Sequence, residues 1–351
     1  PDADLAFPVP GMSDVMPYES TVFSAMSEAQ VDAYEVAWRD KLAAALADHK
    51  PALVHAHHAW LMSANLVELS EAPVVLHSHA TGLRQLKLCP HLAERVLPRV
   101  TKAAVALALH EAHAEELRAL GFARVEVVGA GFDDAVFHPG EAPTANKRVI
   151  FAGKLAHAKG LDLLLAAWPK VRPQHPEAEL VIAGGGGAPE SAILAGLIER
   201  TAGARGLGRL TQPQLADELR AARVFALPSL YEGLPLSLVE AVACGCRAVA
   251  TDLEGVRVLA PALGDALGRV EAPALEGVDT ARARARAPFI AALAVALDEA
   301  LRAPPLKDAR ARTAGLTWDA VYQRVRALWT ELGWIVLARV EAGTLQIERE
   351  R

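Results

Sequence analysis

Leu227-Pro228-Ser229-Leu230-Tyr231-Glu232-Gly233-Leu234-Pro235-Leu236-Ser237-Leu238-Val239-Glu240-Ala241-Val242-Ala243-Cys244-Gly245-Cys246 reads as the end of a buried strand, a turn and a helix. The apolar run Val224–Leu227 closes on Pro228, and Pro235 stands where a helix start tolerates proline. Gly245 occupies the place of a left-handed residue that stops a helix. A helix beginning near Pro235 aims unpaired backbone N–H groups and its positive dipole end beyond the strand, a ready seat for a diphosphate. Glu232 falls just before the helix and Glu240 inside it, with seven residues between them. Taken singly, either glutamate reads as an ordinary helix-dipole partner or an exposed helix residue. The pair, together with Ser229, Gly233 and Pro235, makes a pattern.

Outward from this segment, short continuous apolar runs alternate with longer helical patterns. The runs are 52–55, 74–77, 105–109, 125–128, 149–152, 180–183, 224–227 and 248–251. Continuous rather than alternating hydrophobicity marks strands buried on both faces, and strand–helix alternation implies parallel sheets with right-handed crossovers. The expected fold class is α/β, with two doubly wound Rossmann-like domains. Their expected boundaries are 1–140 and 148–315, with a helix over 316–335 and a tail over 336–351. The breaker-rich stretch His138-Pro139-Gly140-Glu141-Ala142-Pro143 is the expected linker. Ligands of such folds bind at the carboxyl ends of the strands, so the site is expected in the cleft between domains.

Bulk properties agree with two globular domains. A chain of 351 residues, 52% hydrophobic and 22% charged with a mean hydropathy of +0.19, exceeds one comfortable core. Its apolar excess is alanine-rich helix, since no run of 18 apolar residues lacks a charge or a breaker. Residues 1–10 do not read as a secretory signal. The three cysteines, Cys89, Cys244 and Cys246, lack metal-ligand spacing and fit a reducing cytoplasm. Residues 1–143 carry a net charge of −9 and the remainder +3, so the second half repels an anionic nucleotide less. No nucleic-acid-binding surface is expected. Arg84, Lys87, Arg95, Arg99 and Lys102 form a basic stretch, read as a solvated helix face in preference to a weak peripheral contact with anionic lipid.

Three further segments carry chemistry. In Phe151-Ala152-Gly153-Lys154-Leu155-Ala156-His157-Ala158-Lys159-Gly160, two lysines flank a loop after a strand. Beside a diphosphate, Lys154 and Lys159 would neutralise charge growing on a leaving group. The run Gly184-Gly185-Gly186-Gly187 follows a strand and lets backbone approach a ligand closely. Histidines gather at two strand ends: His55, His57 and His58, then His77 and His79. Alternation puts His55 and His57 on one face, and likewise His77 with His79. No carboxylate or cysteine completes a recognisable zinc spacing, so no metal site is expected. Histidines satisfied within the fold remain an open reading.

Glu232 and Glu240 with their surroundings resemble the Glu-x7-Glu motif of family 4 retaining glycosyltransferases (glycosyl transferases group 1) with the GT-B fold. The resemblance covers residues 52–332 and is strongest over 149–256. It implies that Glu232 grips donor-sugar hydroxyls and Glu240 the ribose, that amides near Leu236 and Ser237 hold the distal phosphate, and that Gly233, Leu234 and Pro235 belong to the same donor-binding segment. Residues 153–160 are similar to the family's Gly-Arg-Leu-x3-Lys-Gly, with Gly153 in register and Lys154 where arginine is usual; lysine is a point charge where arginine is a planar fork. Gly184 and Gly186 match a Gly-x-Gly at the nucleotide pocket, and Gly206–Leu210 falls where the base is held. His79 takes the place of a histidine reaching the donor sugar and the reacting centre, with His77 second; His77 and Arg84 are expected at the acceptor or elsewhere in the cleft. Residues 127–133 and 137–139 resemble the interdomain hinge, with Ala130 where asparagine is usual. The helix at Trp318-Asp319 matches one that crosses back to the first domain. The family's opening strand and glycine-rich loop are not found before residue 52, so the natural N-terminus is expected upstream of Pro1.

The implied reaction is transfer of a sugar from a nucleoside-diphosphate-sugar to an acceptor hydroxyl (glycan, lipid-linked or small molecule) with retention. His79, Lys154, Lys159 and Glu232 are the expected catalytic residues, no metal cofactor is expected, and the expected location is cytoplasmic, including the inner membrane face. Two alternatives stand beside it: a non-catalytic donor-binding subunit, and another enzyme of this fold such as a phosphorylase or a nucleotide-sugar 2-epimerase.

Overall fold

The computed structural model describes residues 5–12, 16, 18–140, 146–186, 189–277, 280–333, 335–341 and 344–350. Part of the expected linker, residues 141–143, and Gly187 lie outside them. The chain forms two compact units, one from residues 1–12, 21–129 and 319–351, the other from 13–20 and 130–318. Among the described residues, no helix is long and apolar enough to cross a membrane.

The first unit runs α1 (Glu28–His49), β1 (Val54–His57), α2 (Leu61–Leu69), β2 (Val74–His77), α3 (Ala80–Leu88), α4 (Ala93–Val100), β3 (Val105–Ala108), α5 (Glu111–Ala119) and β4 (Val125–Val127). A capping box between Ser27 and Gln30 starts α1, and a left-handed Lys50 ends it. Its four strands pair in parallel in the order β1-β2-β3-β4. β2 and β3 are buried throughout, as their unbroken apolar runs require. The first strand lies two residues later than expected, because His55 and His57 stand within the pairing register rather than past it. Three residues of the basic stretch, Lys87, Arg95 and Arg99, are committed to ion pairs within this unit. Arg95 binds Asp32 and Glu35, Arg99 binds Glu35 and lies near Glu68, and Lys87 binds Glu116.

The second unit comprises β5 (Arg148–Ala152), α6 (Leu161–Val171), β6 (Glu179–Ala183), α7 (Pro189–Arg200), β7 (Ala204–Gly208), α8 (Gln212–Arg220), β8 (Val224–Leu227), α9 (Leu236–Ala243), β9 (Arg247–Thr251), α10 (Glu254–Arg257), α11 (Ala260–Leu263) and β10 (Leu267–Val270). A small antiparallel pair, β11 (Leu275–Glu276) and β12 (Thr280–Ala281), precedes α12 (Ala283–Arg302) and α13 (Ala309–Thr313). The arginine-alanine run at 281–286 becomes the start of α12, where Arg286 pairs with the buried Asp162. Six parallel strands order as β10-β9-β8-β5-β6-β7. Edge strands β7 and β10 carry too few apolar residues to read as buried runs. Their pairing, rather than their composition, makes them strands.

The junctions also differ from the expected linker. Phe132 and Phe137 are already buried in the core of the second unit, so the chain enters it before residue 138. There the backbone of Phe132 pairs with Leu316 and Trp318. A Cβ on Gly131 would lie 2.7 Å from the Trp318 Cα. Past this crossing, α14 (Trp318–Glu331) buries Val321 and Val325 against Val75, Val105, Leu107 and Val128 of the first unit. A backbone hairpin of β13 (Ile335–Glu341) and β14 (Thr344–Glu350) follows.

Candidate functional site

In the second unit, the connection from β5 leads to β6 and β7 on one side, whereas β8 returns to the other side of β5. The loops after β5 and β8 therefore diverge at a topological switch point, where doubly wound sheets bind ligands. The two loops are tied together: the Leu230 N–H donates to the Ala158 carbonyl at 2.9 Å. Gly160, at φ +64°, caps α6 so near Pro228 that a Cβ would fall 1.9 Å from the Pro228 oxygen. Out of these loops come Lys159 and Glu232, whose Nζ and Oε1 lie 2.7 Å apart. Both side chains are largely covered, 29% and 13% exposed, so the ion pair is less screened than a surface one.

A cleft of about 440 Å³ opens at the same strand ends. Gly153 and exposed Lys154 line it from the β5 loop, Gly184 to Gly186 from the β6 loop, Arg209 and Leu210 after β7, and Ser237 from α9. Gly184, at φ +146°, passes so close to Gly153 that a Cβ would lie 1.8 Å from the Gly153 oxygen. The β5 and β6 loops thus meet through bare backbone, which leaves room above them for a ligand. At α9, Pro235 is the residue before the first turn, so the N–H groups of Leu236 and Ser237 have no intrahelical partner. Gly245, at φ +99°, follows the helix end. Within α9, burial pushes the Glu240 carboxyl up to about 7. The neighbouring cysteines are buried, and burial raises the Cys244 thiol to about 12, which makes it unreactive.

The structure thus gathers Gly153, Lys154, Lys159, Gly184, Gly186 and Glu232 on the strand-end loops of one sheet, with Ser237 and Glu240 on the helix α9 that follows. Gly233 and Leu234 pack against α10, since a Cβ on Gly255 would meet the Gly233 oxygen at 1.7 Å. Sequence reasoning missed Gly255, and it also missed Leu215 and Met16, which line the cleft. Only tertiary contact distinguishes those three from ordinary residues.

His77, His79 and Arg84 belong to the first unit. His55 and His57 project from one face of β1, and His57 is in register with His77 on β2. Their rings stack: His55 on His57 with centroids 5.0 Å apart, and His77 on His79 at 4.6 Å. His57 Nδ1 lies 2.9 Å from His79 Nε2. His58, left-handed at φ +67°, joins from the β1 end, with Nδ1 3.0 Å from the Thr81 hydroxyl. Burial, then repulsion from neighbouring imidazoles, lowers His55 and His79 to about 4 and His77 to about 3. All are neutral at pH 7. Arg84 is half-buried on α3.

Residues 146–267 match the family model described as glycosyl transferases group 1, and residues 8–131 match that of the glycosyl transferase 4-like domain. The chain is 29% identical over 289 residues to a phosphatidyl-myo-inositol mannosyltransferase of Mycolicibacterium smegmatis, covering 79% of this chain and 69% of that one. It is 29% identical over 314 residues to a D-inositol 3-phosphate glycosyltransferase of Catenulispora acidiphila, covering 79% and 71%. Among solved structures, a UDP-forming α,α-trehalose-phosphate synthase of Burkholderia xenovorans superposes with a TM-score of 0.66 at 16% identity, over 88% of this chain and 80% of that one.

Proposed function

Since the chain belongs to the group 1 (family 4) glycosyl transferases and has the two Rossmann-like domains of the GT-B fold, we propose that it transfers a hexosyl group from a nucleoside-diphosphate-sugar to an acceptor hydroxyl with retention of configuration. The observation that carries this reading is the Lys159–Glu232 ion pair, 2.7 Å long, at the switch point. The same two loops supply Gly153 and Lys154, and then Ser237 of α9, to the glycine-lined cleft.

In the proposed reaction the bond between the anomeric carbon and the donor's distal phosphate oxygen breaks. The acceptor oxygen bonds to that carbon on the same face, and its proton passes to the departing phosphate oxygen. The products are a glycoside and a nucleoside diphosphate. Lys159, Lys154 and the unpaired N–H groups at the start of α9 offset the negative charge that grows on the leaving group. Glu232 keeps lone pairs for sugar hydroxyls while one oxygen accepts from Lys159. His79 is the first-unit residue proposed to act on the donor sugar. Being neutral, it acts through hydrogen bonds. His77 and Arg84 are proposed for the acceptor side. The reaction is proposed to need no metal cofactor.

A thermal-shift screen against UDP-, GDP- and ADP-sugars tests the reading, because a bound donor stabilises the fold by mass action. One donor is expected to raise Tm, and NMR of the product is expected to show the donor's anomeric configuration. Stabilisation by none of them, an inverted product, or donor binding without transfer or hydrolysis would each overturn it; the last is the signature of a non-catalytic subunit.

Glu240 gives the reading a pH signature. Ribose hydroxyls donate best to an ionised carboxylate, so donor affinity is expected to weaken as pH falls through about 7 and to hold steady above it. The folded-state value lies above the unfolded one, so this group favours the fold at low pH and loses that contribution as pH rises through 7. Glu240→Gln should therefore stabilise the ligand-free protein at pH 8, by on the order of 2 kcal/mol, while flattening the pH dependence of donor binding. Calorimetry at pH 6 and 8 with melting curves checks both; an unchanged pH profile in the variant would exclude this role for Glu240.

A further inference from the structure

The reaction proposed above uses His79 and His77 of the stacked group and leaves His55, His57 and His58 without a task. Burying several neutral imidazoles costs desolvation that apolar side chains on the same strands would avoid. For His55 and His77 the cost is not recovered by a hydrogen bond at Nε2. His77 is only 7% exposed, and its Nε2 is buried without a hydrogen-bond partner, as is the Nε2 of His55. Two orphaned ring nitrogens side by side on adjacent strands call for a ligand that accepts lone pairs.

The backbone sets the group up. His55 and His57 are two apart on β1, hence on the same face, and the parallel register places His57 directly beside His77 on β2. One ligating nitrogen from each of these three residues lies within 4.8 Å of the others. A tetrahedral zinc ion, with Zn–N bonds of 2.0–2.1 Å, needs nitrogens about 3.3 Å apart. The remaining closure is within reach of side-chain rotations, since the strands already hold the three Cα atoms in place.

We propose that His55, His57 and His77 form a binding site for a divalent transition metal of the zinc type, with the fourth position open to water. The donor set is right for the class: three neutral imidazoles suit Zn²⁺ and Ni²⁺, and are poor ligands for Mg²⁺ or Ca²⁺. His79 supplies the outer support that metal-bound histidines use. When His57 donates its Nδ1 proton to His79 Nε2, 2.9 Å away, its own Nε2 is left with the lone pair. His57 is exposed, which gives the ion a path in. Trp329 of α14 meets the His55 ring edge-on at 5.4 Å.

The test is calorimetric titration of the full, tag-free chain with ZnCl₂, followed by the visible absorption of a Co²⁺ complex. Zn²⁺ is expected to saturate at one equivalent, Co²⁺ to give the intense bands of a tetrahedral site, and MgCl₂ to produce no heat of binding. His57→Ala, at an exposed position that should not disturb folding, and His55→Gln are each expected to weaken Zn²⁺ by at least about tenfold. His49→Ala on α1 is expected to leave it unchanged. Absence of one-equivalent saturation, or retention of wild-type affinity in both the His57 and His55 variants, would overturn the site. The result is independent of sugar transfer, since neither readout needs a donor.

Discussion

Lys159→Ala is expected to lower kcat for sugar transfer by about 10²–10³-fold, the usual consequence of removing a charge aimed at a leaving group. Glu232→Ala is expected to fall at least as far and to raise the donor KM as well, because it removes both the sugar contact and the partner that fixes Lys159. The two losses should not add, since each variant already breaks the same 2.7 Å ion pair. Stability is expected to change little in either, since the pair sits on loops and the cores lie elsewhere. Steady-state kinetics with unaltered melting curves is the check. Near-wild-type turnover in both variants would remove this ion pair from the mechanism.

Gly160→Ala should be nearly as damaging, by another route. At φ +64° an L-residue is strained, and here the added Cβ would sit 1.9 Å from a backbone oxygen of Pro228. Backbone does not yield as a flexible side chain would. Either the α6 start or the loop after β8 has to move, and these carry Lys159 and Glu232. The expected outcome is a loss of about 2 kcal/mol or more in stability together with a strongly raised donor KM. Chemical denaturation alongside kinetics separates the two effects. Wild-type stability and KM would mean that the loops tolerate separation and that the close approach has no part in holding the site.

The donor-side segment was readable in advance because its signals are local. Pro235 and Gly245 bracket a helix by backbone chemistry that needs no distant partner, and the runs at 224–227 and 248–251 are apolar enough to declare buried strands. Strands β7 and β10 gave no such signal. They pair along one edge only, so their sequences, Ala204–Gly208 and Leu267–Val270, need not be continuously apolar. The expected junction at 138 erred for a related reason. Prolines and glycines mark irregular backbone, but the burial of Phe132 and Phe137 decides which core the segment joins.

The α/β alternation and the charged residues on the loops after β5 and β8 were legible along the chain, because periodicity and spacing are properties of sequence neighbours. That Lys159 and Glu232, 73 residues apart, form one ion pair, and that Gly255 abuts Gly233, follows from the folded arrangement alone. It also decided that histidines from two strands share a single face with two unpartnered nitrogens. Those relations depend on strand order and register, which fix distances between residues that the chain itself leaves free.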